Sequence, residues 1–274
     1  MKSFIDKHLR SAIRIVVGDP KSGYSSGMGI FSTGAIHDTA YSLADKFNSE
    51  KITPVLNKSQ KRLIRLWRVK SWGFALTFLT RGVKVTKPGS SRLTHQGRVR
   101  IPNGPLILVA NHSSHMDSAV LASVVGAKRS FSFVAGAEYW SGSKFKSWVG
   151  RNLAGLFLVR KGADGWSDLL SSVEILHDGT ILVIYPEGTR TRTGELGKFH
   201  TGAFRLAAHS GARILPVALI GCREALPAQG KFSRQKIVVR FGDPILVNEE
   251  NISEASVAAR DVIAKMLSEK DSLA

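Results

Sequence analysis

Two side chains five residues apart carry the clearest chemical potential in the chain. They are His112 and Asp117, within Asn111-His112-Ser113-Ser114-His115-Met116-Asp117. In a regular helix that spacing puts the pair off one face, five steps of about 100° each. In a loop that turns into a helix, the carboxylate can fold back onto the imidazole. A carboxylate on one ring nitrogen fixes the tautomer and raises the basicity of the other. Such a pair can take a proton from a hydroxyl. The same two residues also fit a plain capping or core role. A metal reading would enlist His112, His115 and Asp117, but no cysteine cluster or His-Glu-x-x-His helix joins them, so no metal is expected.

Two further segments carry cations. Residues 155–161 read GLFLVRK and end in Arg160 and Lys161. Residues 185–190 read YPEGTR. There Pro186 halts an apolar run, Gly188 permits a tight turn, and Arg190 offers a planar fork suited to phosphate. Glu187 is close enough in sequence to orient Arg190. Taken singly, each segment reads as a strand-terminating turn with surface cations. Taken together, one base and two cationic clusters point to a reaction on an anionic substrate. Gly23-Tyr24-Ser25-Ser26-Gly27 matches a nucleophile-elbow pattern, but no apolar strand precedes it. Neither a phosphate-binding loop of the Gly-x-x-x-x-Gly-Lys-Ser/Thr type nor a dinucleotide Gly-x-Gly-x-x-Gly fingerprint occurs.

These residues need elements to hold them. Residues 105–110 (PLILVA) form a short apolar run that reads as a buried strand, and residues 130–135, 155–159, 181–185, 214–220 and 236–241 read likewise. Helical spacing covers 164–177, closed by Asp178-Gly179. It covers 201–209, stopped by Gly211, and 253–268 as a closing amphipathic helix. Strands alternating with helices predict an α/β fold with a largely parallel central sheet flanked by helices. All three chemical segments then fall at the carboxyl ends of strands, where α/β sheets gather their sites.

Composition narrows the setting. The chain has 274 residues, 43% hydrophobic, enough to bury a core. Its mean hydropathy of -0.02 excludes a polytopic membrane protein. The single cysteine, Cys222, excludes a disulfide framework and fits a reducing compartment. The formal net charge is +18. Residues 51–100 hold 13 of the basic residues and no Asp or Glu. Such a surplus calls for an anionic partner. Within it, residues 58–80 read KSQKRLIRLWRVKSWGFALTFLT, basic first and then uncharged over 71–80. Ten uncharged residues reach about 15 Å as a helix, half of a hydrocarbon core of about 30 Å. This predicts an amphipathic helix lying at an anionic membrane surface, peripheral or monotopic. The alternative is a helix packed on the protein's own core with its cations in water. A nucleic-acid partner is not expected, because no aromatic RNA-binding strand or helix-turn-helix accompanies the charge. The first residues show no clean apolar stretch, so no signal peptide is expected. The chain divides into 1–56, without an assigned role, a basic membrane-associating segment at 57–99, and a catalytic domain at 100–274.

The order of the motifs resembles the glycerolipid acyltransferases, in particular the 1-acylglycerol-3-phosphate acyltransferases. That family carries His-x4-Asp, here His112 and Asp117. It carries Gly-x-x-Phe-(Val/Ile)-x-Arg, here Gly155, Phe157, Leu158 and Arg160, with Leu158 a mild departure. It carries (Phe/Tyr)-Pro-Glu-Gly-Thr-Arg, matched in full by residues 185–190, and a proline-bearing apolar strand, here with Pro216. The four blocks span roughly residues 100–222 and do not reach 1–56. The resemblance implies His112 as general base, with Asp117 orienting it. It implies a lysophospholipid acceptor whose phosphate is held by Arg160, Glu187, Gly188, Thr189 and Arg190, with Lys161 assisting. Pro216 would shape a lipid-facing wall. The donor would be an acyl thioester, acyl-CoA or acyl-carrier protein, acting as co-substrate with no cofactor. The site would face the cytoplasmic side of the membrane.

Overall fold

The computed structural model describes residues 79–86, 94–95, 98–99, 101–125, 129–140, 155–162, 164–227 and 231–269, with isolated positions 66, 70, 73, 74 and 76. Residues 1–56, whose sequence reads as Gly/Ser-rich turns at 21–33 and a helix near 40–47, lie outside the described residues, as does most of 58–78. The strands are β1 (Val83–Thr86), β2 (Thr94–His95), β3 (Arg98–Val99), β4 (Leu106–Ala110), β5 (Phe131–Gly136), β6 (Leu156–Val159), β7 (Ile181–Ile184), β8 (Arg213–Ile220) and β9 (Ile237–Phe241). The helices are α1 (Asp117–Val125), α2 (Ala137–Trp140), α3 (Asp164–Leu170), α4 (Val173–His177), α5 (Gly202–Ser210), α6 (Cys222–Ala225) and α7 (Ile252–Ser268).

Seven strands form one sheet in the order β1-β9-β8-β4-β7-β5-β6, while β2 and β3 make a small antiparallel pair. Every pairing in the large sheet is parallel except β8 with β9. The sheet is thus mostly parallel, as the alternation of strands and helices predicts. The single reversal has a consequence for the site. Ile220, at the end of β8, lies opposite Val238, near the start of β9. The amino ends of β9 and β1 therefore share an edge with the carboxyl ends of β4, β7, β5 and β6.

Both faces of the sheet are covered, which is why β4 and β7 are apolar at every position and fully buried. On one face α1, Phe131 and Leu76 join a core with Leu106, Leu108 and Ala110. On the other, α5 and α7 pack on Ile107, Val109, Leu182 and Ile214. Gly211 ends α5 in the left-handed conformation (φ 65°), which a residue without Cβ adopts at little cost. The helix expected over 164–177 is two pieces. Ser171 Oγ donates to Asp168 O, and Ser172 Oγ donates to Leu169 O. These hydroxyls compete for the carbonyls that a continuous helix would use.

Candidate active site

The site begins where β4 stops. Asn111 extends the strand pairing by one step through its side chain. Its amide donates to Leu219 O (3.0 Å) and accepts from Leu219 N–H (2.7 Å). The backbone is then free to turn away while its end stays tied to β8. Residues 112–116 loop into α1, whose first residue is Asp117.

Asp117 is fully buried. Its Oδ2 accepts three hydrogen bonds, from His112 Nδ1 and from the backbone N–H groups of Ser113 and Ser114, each at 2.8 Å. Its charge also faces the positive end of the α1 dipole. The five-residue spacing works because the loop curls around the carboxylate. His112 Nδ1–H points to Asp117, so Nε2 carries the lone pair. The imidazole is 21% exposed, against 0% for Asp117. The imidazole reaches solvent while the carboxylate that holds it does not.

Two further contacts fix the ring. Tyr185 stacks on it with centroids 4.0 Å apart and planes 12° apart. The Tyr185 hydroxyl is hydrogen-bonded to Ser118 in α1 at 3.0 Å. Burial, then the Asp117 charge, push the phenol well above the ordinary tyrosine range, with the Ser118 bond opposing. The backbone of His112 is held as well. Its N–H donates to Glu187 Oε1 (2.8 Å), and its carbonyl accepts from Thr191 N–H (2.9 Å).

Glu187 departs from expectation. Rather than orienting Arg190, its carboxylate bridges two main-chain groups, His112 N–H and Gly197 N–H (2.9 Å). A nearly buried carboxylate thereby fastens the loop after β7 to the loop after β4. Residues 185–188 form the turn that makes this reach possible. Gly188 N–H donates to Tyr185 O (3.0 Å), Pro186 takes the second position, and Gly188 has φ 70°. Thr189 and Gly188 are exposed, and Arg190 is half-buried. The Arg190 guanidinium donates to the His115 ring. Burial pulls that guanidinium below the usual arginine range, while Tyr139 and Asp117 oppose the shift.

The remaining predicted residues lie farther out. Arg160 follows β6, three strands from β4, about 14 Å at the usual strand spacing. Its Nε and Nη2 pair with Asp168 of α3 at 2.9 and 2.7 Å, and its own N–H donates to the same carboxylate. Sequence reading missed Asp168. The signal available was the second of two acids, Asp164 and Asp168, on the helix that follows β6. Lys161 is exposed, and its N–H donates to Glu138 Oε1 (3.0 Å). Pro216 is buried within β8 opposite Val109, on the face that α7 covers. The structure thus gathers His112, Asp117, Glu187, Gly188, Thr189 and Arg190 at one place, sets Arg160 and Lys161 along the same sheet edge, and leaves Pro216 in the sheet interior.

Among the described residues, no group of three or more His, Cys, Asp and Glu converges as metal ligands would. Among them, too, no helix is long and apolar enough to cross a membrane.

A carboxylate-held imidazole opens to solvent beside an arginine at the carboxyl edge of a mostly parallel sheet, an arrangement chemically able to take a proton from a hydroxyl. Residues 92–220 match the family model described as Acyltransferase. The chain is 26% identical over 185 residues to a chloroplastic 1-acyl-sn-glycerol-3-phosphate acyltransferase of Arabidopsis thaliana, covering 66% of this chain and 49% of that one. It is 35% identical over 136 residues to a lyso-ornithine lipid O-acyltransferase of Pseudomonas aeruginosa, covering 48% and 49%. The chain spans about half the length of these curated relatives. Its fold is similar to the crystal structure of the 1-acyl-sn-glycerophosphate acyltransferase PlsC from Thermotoga maritima, with TM-score 0.59 at 20% identity, over 87% of this chain and 97% of that one.

Proposed function

We propose that the protein is an O-acyltransferase that moves a fatty acyl group from acyl-CoA or acyl-carrier protein to the free hydroxyl of 1-acylglycerol-3-phosphate, giving phosphatidic acid. The observation that carries this reading is the 2.8 Å contact between His112 Nδ1 and the buried Asp117 carboxylate, with Arg190 close by. His112 Nε2 takes the proton as the acceptor hydroxyl attacks the thioester carbonyl. The tetrahedral adduct then collapses and the C–S bond breaks. The leaving sulfur takes the proton from the imidazolium, so ester and free thiol are the products and the base is restored. A positioned base of this kind contributes about 10²–10⁴ in rate. The thioester is already activated, so no covalent enzyme intermediate is needed.

Arg190 is assigned to the acceptor phosphate, with Gly188 and Thr189 exposed beside it. Arg160, neutralised in part by Asp168, and Lys161 line the outer end of the same edge. The reaction is assigned to the cytoplasmic face of the membrane, with 57–99 at the lipid surface. A second reading keeps the chemistry and changes the acceptor to another lysophospholipid, a glycolipid or a lipid-linked amine. The relative that acylates a lyso-ornithine lipid, at 35% identity, favours it. Purified protein supplied with acyl-CoA and acyl-carrier-protein donors, against a panel of lysolipids, separates the two by mass spectrometry. The first reading expects phosphatidic acid from 1-acylglycerol-3-phosphate. Acylation of lyso-ornithine lipid alone transfers the assignment to the second, and no ester with any acceptor overturns both.

A further inference from the structure

We infer that residues 231–236 form, with residues 79–84, an anionic-lipid docking face bordering the catalytic edge of the sheet; this rests on the reading above that the acceptor is a membrane lipid. The two segments are about 150 residues apart in sequence and side by side in the fold. Arg81 N–H donates to Gln235 O (2.8 Å), Ile237 N–H donates to Gly82 O (2.9 Å), and Arg234 Nη2 donates to Thr80 O (3.0 Å). From there β1 and β9 continue as a parallel pair.

The chemistry of both segments suits a lipid surface. No Asp or Glu occurs from residue 51 to 116, nor from 225 to 242. Arg81, Lys84, Lys231 and Arg234 are exposed. Two aromatic side chains are exposed with them, Phe74 at 69% and Phe232 at 44%, while Leu76 of the same helical stretch as Phe74 is buried in the core at 3%. Cations interleaved with exposed aromatics suit the boundary between headgroups and acyl chains. A strongly exposed leucine elsewhere gives a contrast. Leu246 (73%) lies near Glu249 and Glu250, beside Ile245, which pairs with Ile214 at the far end of β8.

Position supports the same occupant. Because β9 runs against β8, residues 231–236 sit at the sheet edge that carries His112. They are also tied to the catalytic loop. Ser233 N–H donates to Ala225 O (2.8 Å), and Ser114 Oγ donates to Leu226 O (2.6 Å), with a bridge between Ser114 and Pro227. Gly221 (φ 84°) lets the Lys236 carbonyl approach so closely that a Cβ there would lie 2.3 Å from its oxygen. A bilayer held by this face would present its lipids beside the catalytic imidazole, so acceptor and product need not cross water.

The test is co-sedimentation with phosphatidylcholine vesicles, with and without phosphatidylglycerol, for the full chain and for exposed-residue variants. Lys231→Ser is expected to weaken binding about fivefold, on anionic vesicles only. Phe232→Ser is expected to weaken it roughly tenfold on both compositions. Leu246→Ser is expected to change neither. Unchanged sedimentation of the Lys231→Ser/Phe232→Ser double variant overturns the inference. So does a loss of RNA binding in a filter assay without a loss of vesicle binding. Turnover of a detergent-dispersed acceptor should persist in the double variant. A wild-type protein without turnover whose vesicle binding still depends on residues 231 and 232 would refute the chemistry and leave the docking face standing.

Discussion

Replacing Asp117 by asparagine tests how much the buried carboxylate does. The substitution keeps shape and removes charge. In the native protein Oδ2 accepts three charge-assisted hydrogen bonds, all at 2.8 Å, at a site with no exposure to water. A hydrogen bond to a charged group contributes about 1.5–3 kcal/mol against about 0.5–1.5 for a neutral one. A difference of about 1 kcal/mol for each of three bonds gives a loss of about 3 kcal/mol, with no discount for solvent screening. At this chain size each kcal/mol moves the melting temperature by about 2–4 °C, so the expected fall is about 6–12 °C. Catalysis should suffer separately. A neutral amide neither stabilises the imidazolium nor selects the Nδ1–H tautomer, so kcat should fall by much of the 10²–10⁴ that a positioned base supplies, roughly. The assay is steady-state release of free thiol from acyl-CoA at saturating acceptor, beside a thermal melt of the same preparation. An Asp117→Asn protein with native kcat would refute the argument for catalysis. An unchanged melting temperature would refute the argument for the loop.

Three other outcomes follow from the same geometry. Arg190→Ala should raise the acceptor KM about ten- to hundredfold, the worth of one or two charge-assisted bonds, and leave the donor KM unchanged; initial-rate kinetics with each substrate varied would detect the opposite pattern. Asp168→Ala should cost about 3 kcal/mol in a denaturant titration, because it removes the buried carboxylate that pairs with the Arg160 guanidinium and its backbone N–H, and equal midpoints for variant and native protein would contradict this. Cys222 is fully buried, and burial followed by the Asp117 charge pushes its thiol well above the usual range. The folded state therefore holds that proton more tightly than the unfolded state, so this contribution to stability is intact below about pH 8.5 and declines as pH rises beyond it. A disulfide reagent should find no reactive thiol at neutral pH until the protein unfolds, and rapid labelling of the native protein would count against it.

Much of the sheet was legible because buried strands announce themselves as short apolar runs. Residues 105–110 and 181–185 differ from β4 and β7 by a single residue at one end. The helices at 201–209 and 253–268 were legible through their spacing and, for the first, through Gly211. What stayed hidden depends on distant partners. β1 has the alternation Val83-Lys84-Val85, yet its partner β9 lies some 150 residues on, and a four-residue edge strand has little local signal. The antiparallel placement of β9 also has no local cause. In the site, the base and its carboxylate could be named from their types and spacing, because both belong to one loop. The partners of Glu187 could not, since main-chain N–H groups at His112 and Gly197 carry no sequence signature. The stack of Tyr185 on His112 and the pairing of Arg160 with Asp168 likewise arise only when separate strand ends meet.

The central claim is that the His112 imidazole removes a proton from an acceptor hydroxyl, and turnover of His112→Ala measures it most directly. The backbone bonds of residue 112 do not need its side chain, so the variant should fold and still sediment with anionic vesicles, melting about 3–12 °C lower for the one charge-assisted bond lost to Asp117, about 1.5–3 kcal/mol. With acyl-CoA and 1-acylglycerol-3-phosphate, its phosphatidic acid formation by mass spectrometry should fall by about 10²–10⁴. Phosphatidic acid formed by this variant at the native rate would contradict the account.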